Sequence, residues 1–302
     1  MSDGQIVVAG LTKQYKRVRA VDNLSFSVEP GRVTGFLGPN GAGKTTTLRM
    51  ILNLVTPTAG TATIGGHRYA DLSDPLRHVG AILEASSAHK GRTGLNHLRV
   101  ICAAAGLPRQ RADEVMALVG LAPAAKRKFK GYSLGMRQRL GIAAALLGDP
   151  RVLVLDEPAN GLDPEGIRWM RDLLKSLSAQ GRTVLVSSHL LAEMEQLADD
   201  VVIIAGGRLV AQGQVGAILG GATAAQVRVR TPQPDELTKA LAAHNATVRP
   251  GPGGALFVTG VDAPAVGAAA LRAGVELHEL VTERADLERV FLELTAGKAE
   301  IR

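Results

Sequence analysis

The most informative stretch in the chain is Gly38-Pro39-Asn40-Gly41-Ala42-Gly43-Lys44-Thr45-Thr46, which matches the pattern G-x-x-x-x-G-K-[ST]. An apolar strand is predicted just before it, over residues 33–37, and an amphipathic helix over residues 44–55. Glycines in such a turn let backbone N–H groups face a phosphate, and the helix N-terminus adds the positive end of a dipole. The stretch therefore predicts a phosphate-binding loop between a strand and a helix.

The residue types of this loop indicate which ligand it binds. Lys44 supplies a positive charge for the β- and γ-phosphates of a nucleotide, and the Thr45 hydroxyl is a ligand for Mg²⁺. The other residues expected to surround the phosphates are Gly38, Asn40, Gly41, Ala42, Gly43 and Thr46. The loop predicts a nucleotide with Mg²⁺, but a single motif does not identify the protein that uses them.

A second motif places two carboxylates at the end of an apolar strand. Residues 152–155 read Val-Leu-Val-Leu, which is typical of a strand buried on both faces of a parallel sheet, and Asp156 and Glu157 follow. Ligands bind outside the carboxyl ends of such strands. Beside a phosphate loop, Asp156 is expected to hold the Mg²⁺ shell and Glu157 to polarise the attacking water as general base. Without that loop, the same pair would be interpreted as a cap or a surface pair.

The order of the predicted elements indicates the fold class. Apolar strands alternate with helices over the first two thirds of the chain, which predicts an α/β fold with a parallel sheet. We interpret the Gly/Ala-rich stretch at residues 216–225 as a domain boundary. The predicted domains are an ATP-binding domain at residues 1–220 and a small α+β accessory domain at residues 221–302.

Composition narrows the classes of protein. The chain has 302 residues, of which 46% are hydrophobic, a net charge of +7, and one cysteine, Cys102, which excludes an internal disulfide framework. The positive charge is compatible with nucleic acid, an anionic membrane face or nucleotide phosphates as partners. No signal peptide is recognisable, and the longest uncharged run, between Arg208 and Arg228, is interrupted by glycines and glutamines. Any membrane role is therefore expected to come through a partner.

A third motif identifies the family that the chain resembles. Tyr132-Ser133-Leu134-Gly135-Met136-Arg137-Gln138-Arg139 precedes the acidic strand, and by itself Ser133 is equally well explained as a helix N-cap. Together with the other two motifs, this stretch resembles the signature loop of the ABC ATPase family. In that family the loop faces the γ-phosphate of ATP held by a second copy. The resemblance therefore implies that Ser133 and Gly135 bind ATP across a head-to-tail dimer.

The resemblance covers residues 5–220 and assigns three further residues. Tyr15 stands at the aromatic position expected to stack on adenine, and Asp163 ends a stretch similar to the loop that crosses the dimer. His189 follows a strand and looks like the switch histidine that contacts the γ-phosphate, so the implied catalytic residues are Glu157 and His189. The implied fold is a P-loop NTPase core with an antiparallel β subdomain and a helical subdomain.

The chain departs from the family pattern in three places. The signature loop commonly reads L-S-G-G-Q, of which only Ser133 and Gly135 are matched. Glu84 stands where the family has its lid glutamine, and a carboxylate there is expected to ligate Mg²⁺. The accessory domain is an addition to the minimal fold, and residues 287–294 resemble the end of appended domains in bacterial exporter-type subunits. An amphipathic core helix explains these last residues equally well.

The function implied by the resemblance is the ATP-hydrolysing, energy-coupling subunit of an ABC membrane transporter, with drugs, peptides or lipids exported. Its expected partners are a second copy of itself and a separately encoded transmembrane permease, and its expected location is the cytoplasmic face of the membrane. The alternative is a soluble ABC ATPase acting on nucleic acid or ribosomes. Such proteins usually carry two ATPase cores, coiled-coil insertions or zinc cysteines. This sequence has one core, no heptads and one cysteine, so no nucleic acid partner is expected. A P-loop GTPase or kinase is a weaker alternative, since no Asn-Lys-x-Asp motif for guanine is present.

Overall fold

The computed structural model of the chain describes residues 3–83, 88–221, 226–242, 244, 246–283 and 286–295. It divides into two compact units, one within Met1–Val215 together with Glu293–Arg302 and the other within Gly216–Leu292. The assignment of residues 1–220 to ATP binding and of residues 221–302 to an accessory role stays a prediction, because compactness does not reveal function.

The described residues of the first unit up to residue 214 form nine strands and seven α-helices. The strands are β1 (Ile6–Tyr15), β2 (Val18–Val28), β3 (Val33–Leu37), β4 (Ala59–Ile64), β5 (Val79–Ile82), β6 (Val152–Asp156), β7 (Thr183–Ser188), β8 (Asp200–Ala205) and β9 (Arg208–Gln214). The helices are α1 (Lys44–Ile51), α2 (Pro75–His78), α3 (Gly94–Ala104), α4 (Gln110–Leu118), α5 (Leu134–Ala145), α6 (Pro164–Ala179) and α7 (Leu191–Leu197). Within the described ranges, no helix combines the length and apolar character that a membrane crossing needs.

Two sheets form the framework of the first unit. The larger has the strand order β5-β6-β7-β3-β8-β9, in which all strands are parallel except β9 at the edge. The smaller is antiparallel, with the order β2-β1-β4. The predicted α/β architecture with an antiparallel β subdomain is confirmed, and α3, α4 and α5 supply the helical subdomain.

Apolar strands explain why the large sheet lies at the centre of this unit. Every residue of β3, β6 and β7 is buried, as expected for parallel strands covered on both faces. Phe26 of β2 stacks on Phe36 of β3 with ring centroids 5.3 Å apart, so the small sheet packs against the large one. Cys102 is a buried free thiol on α3.

Two predicted helices are shorter in the structure. The helix predicted over residues 44–55 ends at Ile51, and Asn53 beyond it has a φ of 56°, which is incompatible with a continuing helix. The apolar residues of positions 96–119 recur with helical spacing and predict one helix, but the structure divides this range into α3 and α4. Gly106 has a φ of 62° between them and Pro108 follows, so the two helices turn back on each other.

The second unit contains one antiparallel sheet with the strand order β11-β12-β10-β13. Its strands are β10 (Gln226–Arg230), β11 (Thr247–Pro250), β12 (Leu256–Thr259) and β13 (Glu279–Glu283), and the remaining helices are α8 (Val215–Gly221), α9 (Pro234–Ala242), α10 (Ala263–Ala273) and α11 (Leu287–Thr295). Residues of β10, β12, α9 and α10 share one apolar core. This part of the chain has the predicted α+β composition.

The boundary predicted over residues 216–225 stays a prediction: helix α8 runs into this stretch, and the second compact unit begins at Gly216. The sequence pattern also predicts a strand over residues 275–280, and this is wrong, because the strand lies at Glu279–Glu283. Strand β11 was not predicted; it lies at the sheet edge, where the missing N–H of Pro250 is tolerated.

Gly80 of β5 lies against the backbone of α5, with no room for a side chain between them. A Cβ on Gly80 would lie 2.1 Å from the backbone oxygen of Ala145. We expect Gly80→Ala to lower the free energy of unfolding by about 2 kcal/mol or more, since the backbone must shift. Urea denaturation followed by circular dichroism measures the change.

Gly141 provides the control on the facing helix. A Cβ there would lie 3.7 Å from Cδ1 of Ile82, an ordinary van der Waals contact. Gly141→Ala should leave stability unchanged or raise it by up to about 1 kcal/mol, because alanine favours a helix interior. A wild-type midpoint for Gly80→Ala would contradict the close approach of β5 and α5.

Candidate active site

The strand order of the large sheet brings the phosphate loop, the two acids and the predicted switch histidine together. The phosphate loop follows β3, Asp156 ends β6, and His189 follows β7. In the parallel register Asp156 lies opposite Ser187, and Leu37 lies opposite Ser188. These three segments therefore emerge from the same edge of the sheet, where α/β folds bind ligands.

Close backbone contacts explain the glycines of the loop. Gly43 has a φ of 97°, and a Cβ there would lie 2.4 Å from the backbone oxygen of Ala20. A Cβ on Gly38 would lie 2.6 Å from the backbone oxygen of Ile204. Only glycine fits at these positions without displacing a neighbouring strand or loop. Helix α1 begins at the next residue, so its N-terminus points at the loop.

The loop encloses a cavity of about 480 Å³. Its lining consists of Tyr15, Ala20, Pro39, Asn40, Gly41, Ala42, Gly43, Lys44, Thr45, Thr46 and Glu157. The structure thus brings Tyr15 and Glu157, far apart in sequence, to the predicted phosphate site. Tyr15 is 46% exposed, with the Lys13 ammonium 5.0 Å from its ring centroid, so the ring is available to an aromatic ligand.

Lys44 is a buried positive charge in this cavity. Its side chain is 8% exposed, and Nζ donates to the carbonyl oxygens of Gly38 at 2.6 Å and Pro39 at 3.4 Å. Burial lowers the pKa of the Lys44 ammonium, although the negative charges of Glu157 and Asp156 oppose this shift. An anionic ligand in the cavity would stabilise the charged form, since an opposite charge favours ionisation.

Asp156 is held by two hydroxyl groups. Thr45 donates through Oγ1 to Oδ2 of Asp156 at 2.7 Å, and Ser187 donates through Oγ to Oδ1. Ser187 is fully buried, and its Oγ also accepts from the backbone N–H of Glu157 at 3.0 Å. Ser187 is therefore a site residue that the sequence analysis missed. No sequence signal identifies it, because its place opposite Asp156 depends on which strands pair and in which register.

Glu157 and His189 form the mouth of the site. Nδ1 of His189 lies 2.8 Å from Oε2 of Glu157, and about half of the His189 side chain is exposed. Glu157 has a φ of 49°, which is rare for a residue other than glycine and is found preferentially at functional sites. Its backbone oxygen accepts a long hydrogen bond, 3.4 Å, from Nε2 of Gln138 on α5. The unusual conformation turns the carboxylate toward the cavity that it lines.

The residues present fit a magnesium ion whose other ligands are water and phosphate better than they fit a metal ion with protein ligands only. No group of three or more His, Cys, Asp or Glu residues in the described part of the chain could hold a metal. Mg²⁺ usually retains several waters and takes one or two carboxylates besides substrate phosphates. Oγ1 of Thr45 and Oδ2 of Asp156 provide such a pair beside the loop. Glu84, the third predicted ligand, lies outside the described residues.

The signature loop and the crossing loop lie apart from this cavity. Ser133 caps α5 by accepting from the N–H of Met136 at 3.2 Å, and Asp163 caps α6 by accepting from the N–H of Gly166 at 2.8 Å. Neither Ser133, Gly135 nor Asp163 is among the described residues that line the cavity. Their expected contact with ATP stays a prediction that requires a second copy.

Leu134 is explained by a contact that the motif comparison did not anticipate. Gly161 has a φ of 79°, and a Cβ there would lie 2.2 Å from Cδ2 of Leu134. A Cβ on Gly135 would lie 3.2 Å from the backbone oxygen of Gly161. The signature loop and the loop before α6 therefore pack on each other in one chain, and Leu134 remains 57% exposed.

Known proteins match this arrangement in sequence. The profile of the ABC transporter family matches residues 21–160, and a domain of unknown function matches residues 225–288. The chain is 36% identical, over 98% of its length, to the daunorubicin/doxorubicin resistance ATP-binding protein of Streptomyces peucetius, of which it covers 94%. It is 45% identical to the bacitracin transport ATP-binding protein of Bacillus licheniformis over 68% of each chain.

Solved structures match it in fold. An ATP-binding subunit of an ABC transporter is similar with a TM-score of 0.64 and 31% identity, over 70% of this chain and 91% of that chain. The ABC transporter cassette MJ0796, solved as a dimer, is similar with a TM-score of 0.64 and 25% identity, over 69% and 98% respectively. These matches extend over about two thirds of the chain, far beyond the phosphate loop itself.

The buried Lys44 makes stability depend on pH in a predictable direction. Because its pKa is lowered from 10.5, the unfolded chain binds more protons than the folded chain between the two values. Stability contributed by this residue therefore increases with pH in that window. We expect the free energy of unfolding of the wild type, relative to Lys44→Met, to rise as pH is raised toward 10.5, measured by urea denaturation without nucleotide.

Lys175→Met removes the same charge from an exposed site and controls for the change in net charge. A wild-type advantage that shrinks with rising pH would show that desolvation of Lys44 is not the dominant effect.

Proposed function

This chain belongs to the ABC transporter family of ATP-binding proteins, and from this membership we propose that it powers an exporter by binding and hydrolysing ATP. The chain works as a head-to-tail dimer on a separately encoded transmembrane permease, at the cytoplasmic face of the membrane. Its relatives in drug resistance and bacitracin transport support drugs and peptides as cargo, with lipids as a further class. Closure of the dimer on ATP moves the permease, and hydrolysis of that ATP reopens the dimer for the next cycle.

One cluster of contacts carries this proposal. The cavity formed by the loop and Tyr15 also contains Glu157, whose carboxylate is hydrogen-bonded to His189. The hydrogen bond from Thr45 to Asp156 lies at the same edge of the sheet. A base, a buried ammonium and a Mg²⁺ ligand pair at one phosphate loop are the parts that phosphoryl transfer to water needs.

The residues of the cavity divide the work of binding. Tyr15 stacks on the adenine ring, and backbone N–H groups of the loop together with the N-terminus of α1 hold the phosphates. Lys44 neutralises the β- and γ-phosphates from a site that is mostly closed to water, where its charge acts more strongly than in solvent. Mg²⁺ bound by Thr45 and Asp156 would neutralise further charge on the phosphate oxygens.

Hydrolysis depends on Glu157. Its carboxylate accepts a proton from the attacking water, and the bond from His189 orients that carboxylate. His189 is exposed enough to contact the γ-phosphate as well. Ser187 fixes both the Asp156 carboxylate and the Glu157 backbone, so it positions the two acids relative to each other. It acts on the reaction only through these neighbours.

A second copy completes the site. Ser133 and Gly135 lie at the exposed start of α5, where the helix dipole favours a negative ligand, yet they do not line the cavity of their own chain. A head-to-tail dimer places them over the γ-phosphate in the partner's cavity, with Asp163 at the crossing. The dimeric cassette among the similar structures supports this arrangement.

A groove between the helical subdomain and the segments around α1 and β5 is the proposed docking site for the permease. It has a volume of about 350 Å³, and Ala88 and His97 are among the residues that line it. Its described lining is Arg49, Leu54, Ala81, Ile82, Leu83, Ala88, His97, Phe129, Arg137, Leu140, Gly141 and Ala144. A short amphipathic helix of the permease would bury apolar residues in such a groove.

Glu157→Gln tests the assignment of the base. We expect ATP turnover to fall by roughly 10²- to 10⁴-fold, because an amide cannot accept the proton. ATP affinity should be retained, and the bound ATP should hold the variant as a dimer. Phosphate release, binding of a fluorescent ATP analogue and light scattering measure these three properties.

Asp172→Asn is the matched control, since it makes the same carboxylate-to-amide change at an exposed position on α6. Its turnover should equal that of the wild type. Robust hydrolysis by Glu157→Gln would overturn the role of Glu157.

Ser187→Ala tests the positioning of the acids. We expect kcat to fall about tenfold, since the buried Asp156 carboxylate loses one of its two hydroxyl donors, while the Glu157 N–H keeps only its bond to the backbone oxygen of Ser187 at 3.2 Å. The Mg²⁺ concentration for half-maximal turnover should rise several-fold, a change that a general loss of stability would not produce.

Ser188→Ala provides the control from the next residue of the strand. Ser188 is equally buried, but its Oγ accepts from the N–H of Leu190 instead of contacting the acids. Its Mg²⁺ requirement should stay at the wild-type value. If both variants respond equally, Ser187 has no specific role.

A further inference from the structure

The positive charge of the chain is concentrated in one segment. Residues 88–148 contain eleven Lys and Arg against two Asp and Glu, a net charge of +9. The other 241 residues contain 24 Lys and Arg against 26 Asp and Glu, so they carry −2 of the total of +7. The segment corresponds to the helical subdomain, and none of its basic residues lines the ATP cavity in the described structure. ATP binding therefore does not account for this charge.

The densest part of this charge forms one surface, which we call the basic patch. It consists of Lys90, Arg92, Lys126, Arg127, Lys128 and Lys130. Two backbone hydrogen bonds hold its two segments side by side, from the N–H of Phe129 to the oxygen of Arg92 at 2.9 Å and from the N–H of Lys130 to the oxygen of Lys90 at 3.1 Å. Arg92 is partly buried and the other five are exposed. The fold thus adds residues 90–92 to the basic run at residues 126–130.

Among the described residues, no acid neutralises the charge of the basic patch. In the described part of the structure, none of its six residues forms an ion pair. The two acids of the segment are engaged elsewhere, Asp113 with Arg99 at 3.1 Å and Glu114 with Arg111 at 2.9 Å. Six like charges close together repel one another, so an anionic partner would bind with a favourable energy.

The chemistry of the basic patch favours a lipid surface over nucleic acid. Four of its six residues are lysines, which attract diffuse negative charge and need no fixed geometry. Sequence-tolerant binding of single strands uses exposed aromatic rings on which bases stack. The aromatic residues beside the patch, Phe129 and Tyr132, are each only 3% exposed. Among the described residues, neither of these two rings is available for bases to stack on, and the one exposed ring next to the patch is the smaller imidazole of His89.

The basic patch also lies beside the groove proposed for the permease. Phe129 lines that groove and is bonded through its backbone to Arg92 of the patch. His97 lines it as well, and burial together with the positive charge of Arg92 lowers the pKa of His97. A surface that receives a permease helix faces the membrane, and the patch continues that surface.

We propose that the basic patch binds the anionic phospholipid headgroups around the permease, so that the membrane itself helps to hold the ATPase in place. This inference rests on the proposed function, because it needs the chain to work at a membrane. Each Lys or Arg close to an anionic leaflet increases partitioning by roughly fivefold, and the attraction decays over a Debye length of about 8 Å at physiological salt. Binding should therefore be reversible and should weaken at high salt.

Flotation with lipid vesicles tests the inference without a permease. The purified full chain is mixed with vesicles of phosphatidylcholine alone or of phosphatidylcholine with phosphatidylglycerol. We expect binding only to the anionic vesicles, and loss of that binding at 1 M salt. The patch variant combines Lys126→Gln, Arg127→Gln, Lys128→Gln and Lys130→Gln, and its partitioning should fall by roughly 100-fold or more.

A second variant removes the same number of charges from other exposed positions. It combines Arg77→Gln, Arg168→Gln, Lys175→Gln and Lys239→Gln. Its vesicle binding should stay within a few-fold of the wild type if the basic patch is responsible. Equal losses in the two variants would overturn the inference in favour of net charge alone.

ATP turnover and RNA binding separate the remaining outcomes. Turnover in solution should be equal in wild type and patch variant, since the patch is outside the site. Normal turnover without vesicle binding would overturn this inference alone, whereas absent turnover would overturn the proposed function. Tighter binding of the wild type to single-stranded RNA than to anionic vesicles, lost in the patch variant, would make the patch a nucleic-acid surface and overturn the inference.

Discussion

The parallel pairing of β7 with β6 on one side and β3 on the other is the constraint on which the site depends. Parallel strands all end at the same edge, so the loop after β3 and the acids after β6 meet although more than a hundred residues separate them. This parallel pairing is stabilised by the apolar residues of the strands, which are buried on both faces of the sheet. The chemistry at the edge is therefore supported by the hydrophobic core behind it.

The polar groups at that edge are costly to bury, and the structure compensates each of them. Lys44 donates to two carbonyl oxygens, and Asp156 accepts from two hydroxyl groups. A buried charge with such partners is tolerated but not strongly stabilised, because neutral groups do not cancel it. A bound nucleotide would bring negative charge to Lys44, and the proposed Mg²⁺ would bring positive charge to Asp156, so ligand binding would offset the cost of burying both groups.

Helix α5 of the helical subdomain carries both the proposed contact with a second copy and a contact with Glu157. The start of α5 carries Ser133 and Gly135, which we propose to contact a second copy, and Gln138 on the same helix donates to the backbone oxygen of Glu157. A movement of α5 would therefore reach Glu157, the proposed general base. The basic patch precedes this helix in sequence, which places the proposed membrane contact, the dimer contact and the base along one short stretch of chain.

Much of this molecule could be predicted from short motifs, because local sequence encodes a strand followed by a phosphate loop or by two acids. The α/β fold, the loop residues and the acids at the end of β6 all follow from such patterns. Three features were not predicted: the break between α3 and α4, strand β11, and helix α8. They depend on glycines, on prolines and on a position at the sheet edge, none of which is part of the periodic pattern of apolar residues.

The sequence by itself determined that the site carries a phosphate loop and two acids at the end of an apolar strand, from whose residue types and spacing a base and a Mg²⁺ ligand are proposed. Only the tertiary structure decided that Ser187 holds Asp156 and Glu157 together, that Leu134 packs on Gly161, and that residues 90–92 join residues 126–130 in one basic surface. The physical reason is that these are contacts between distant segments. Their distances depend on strand register and loop packing, which spacing along the chain does not contain.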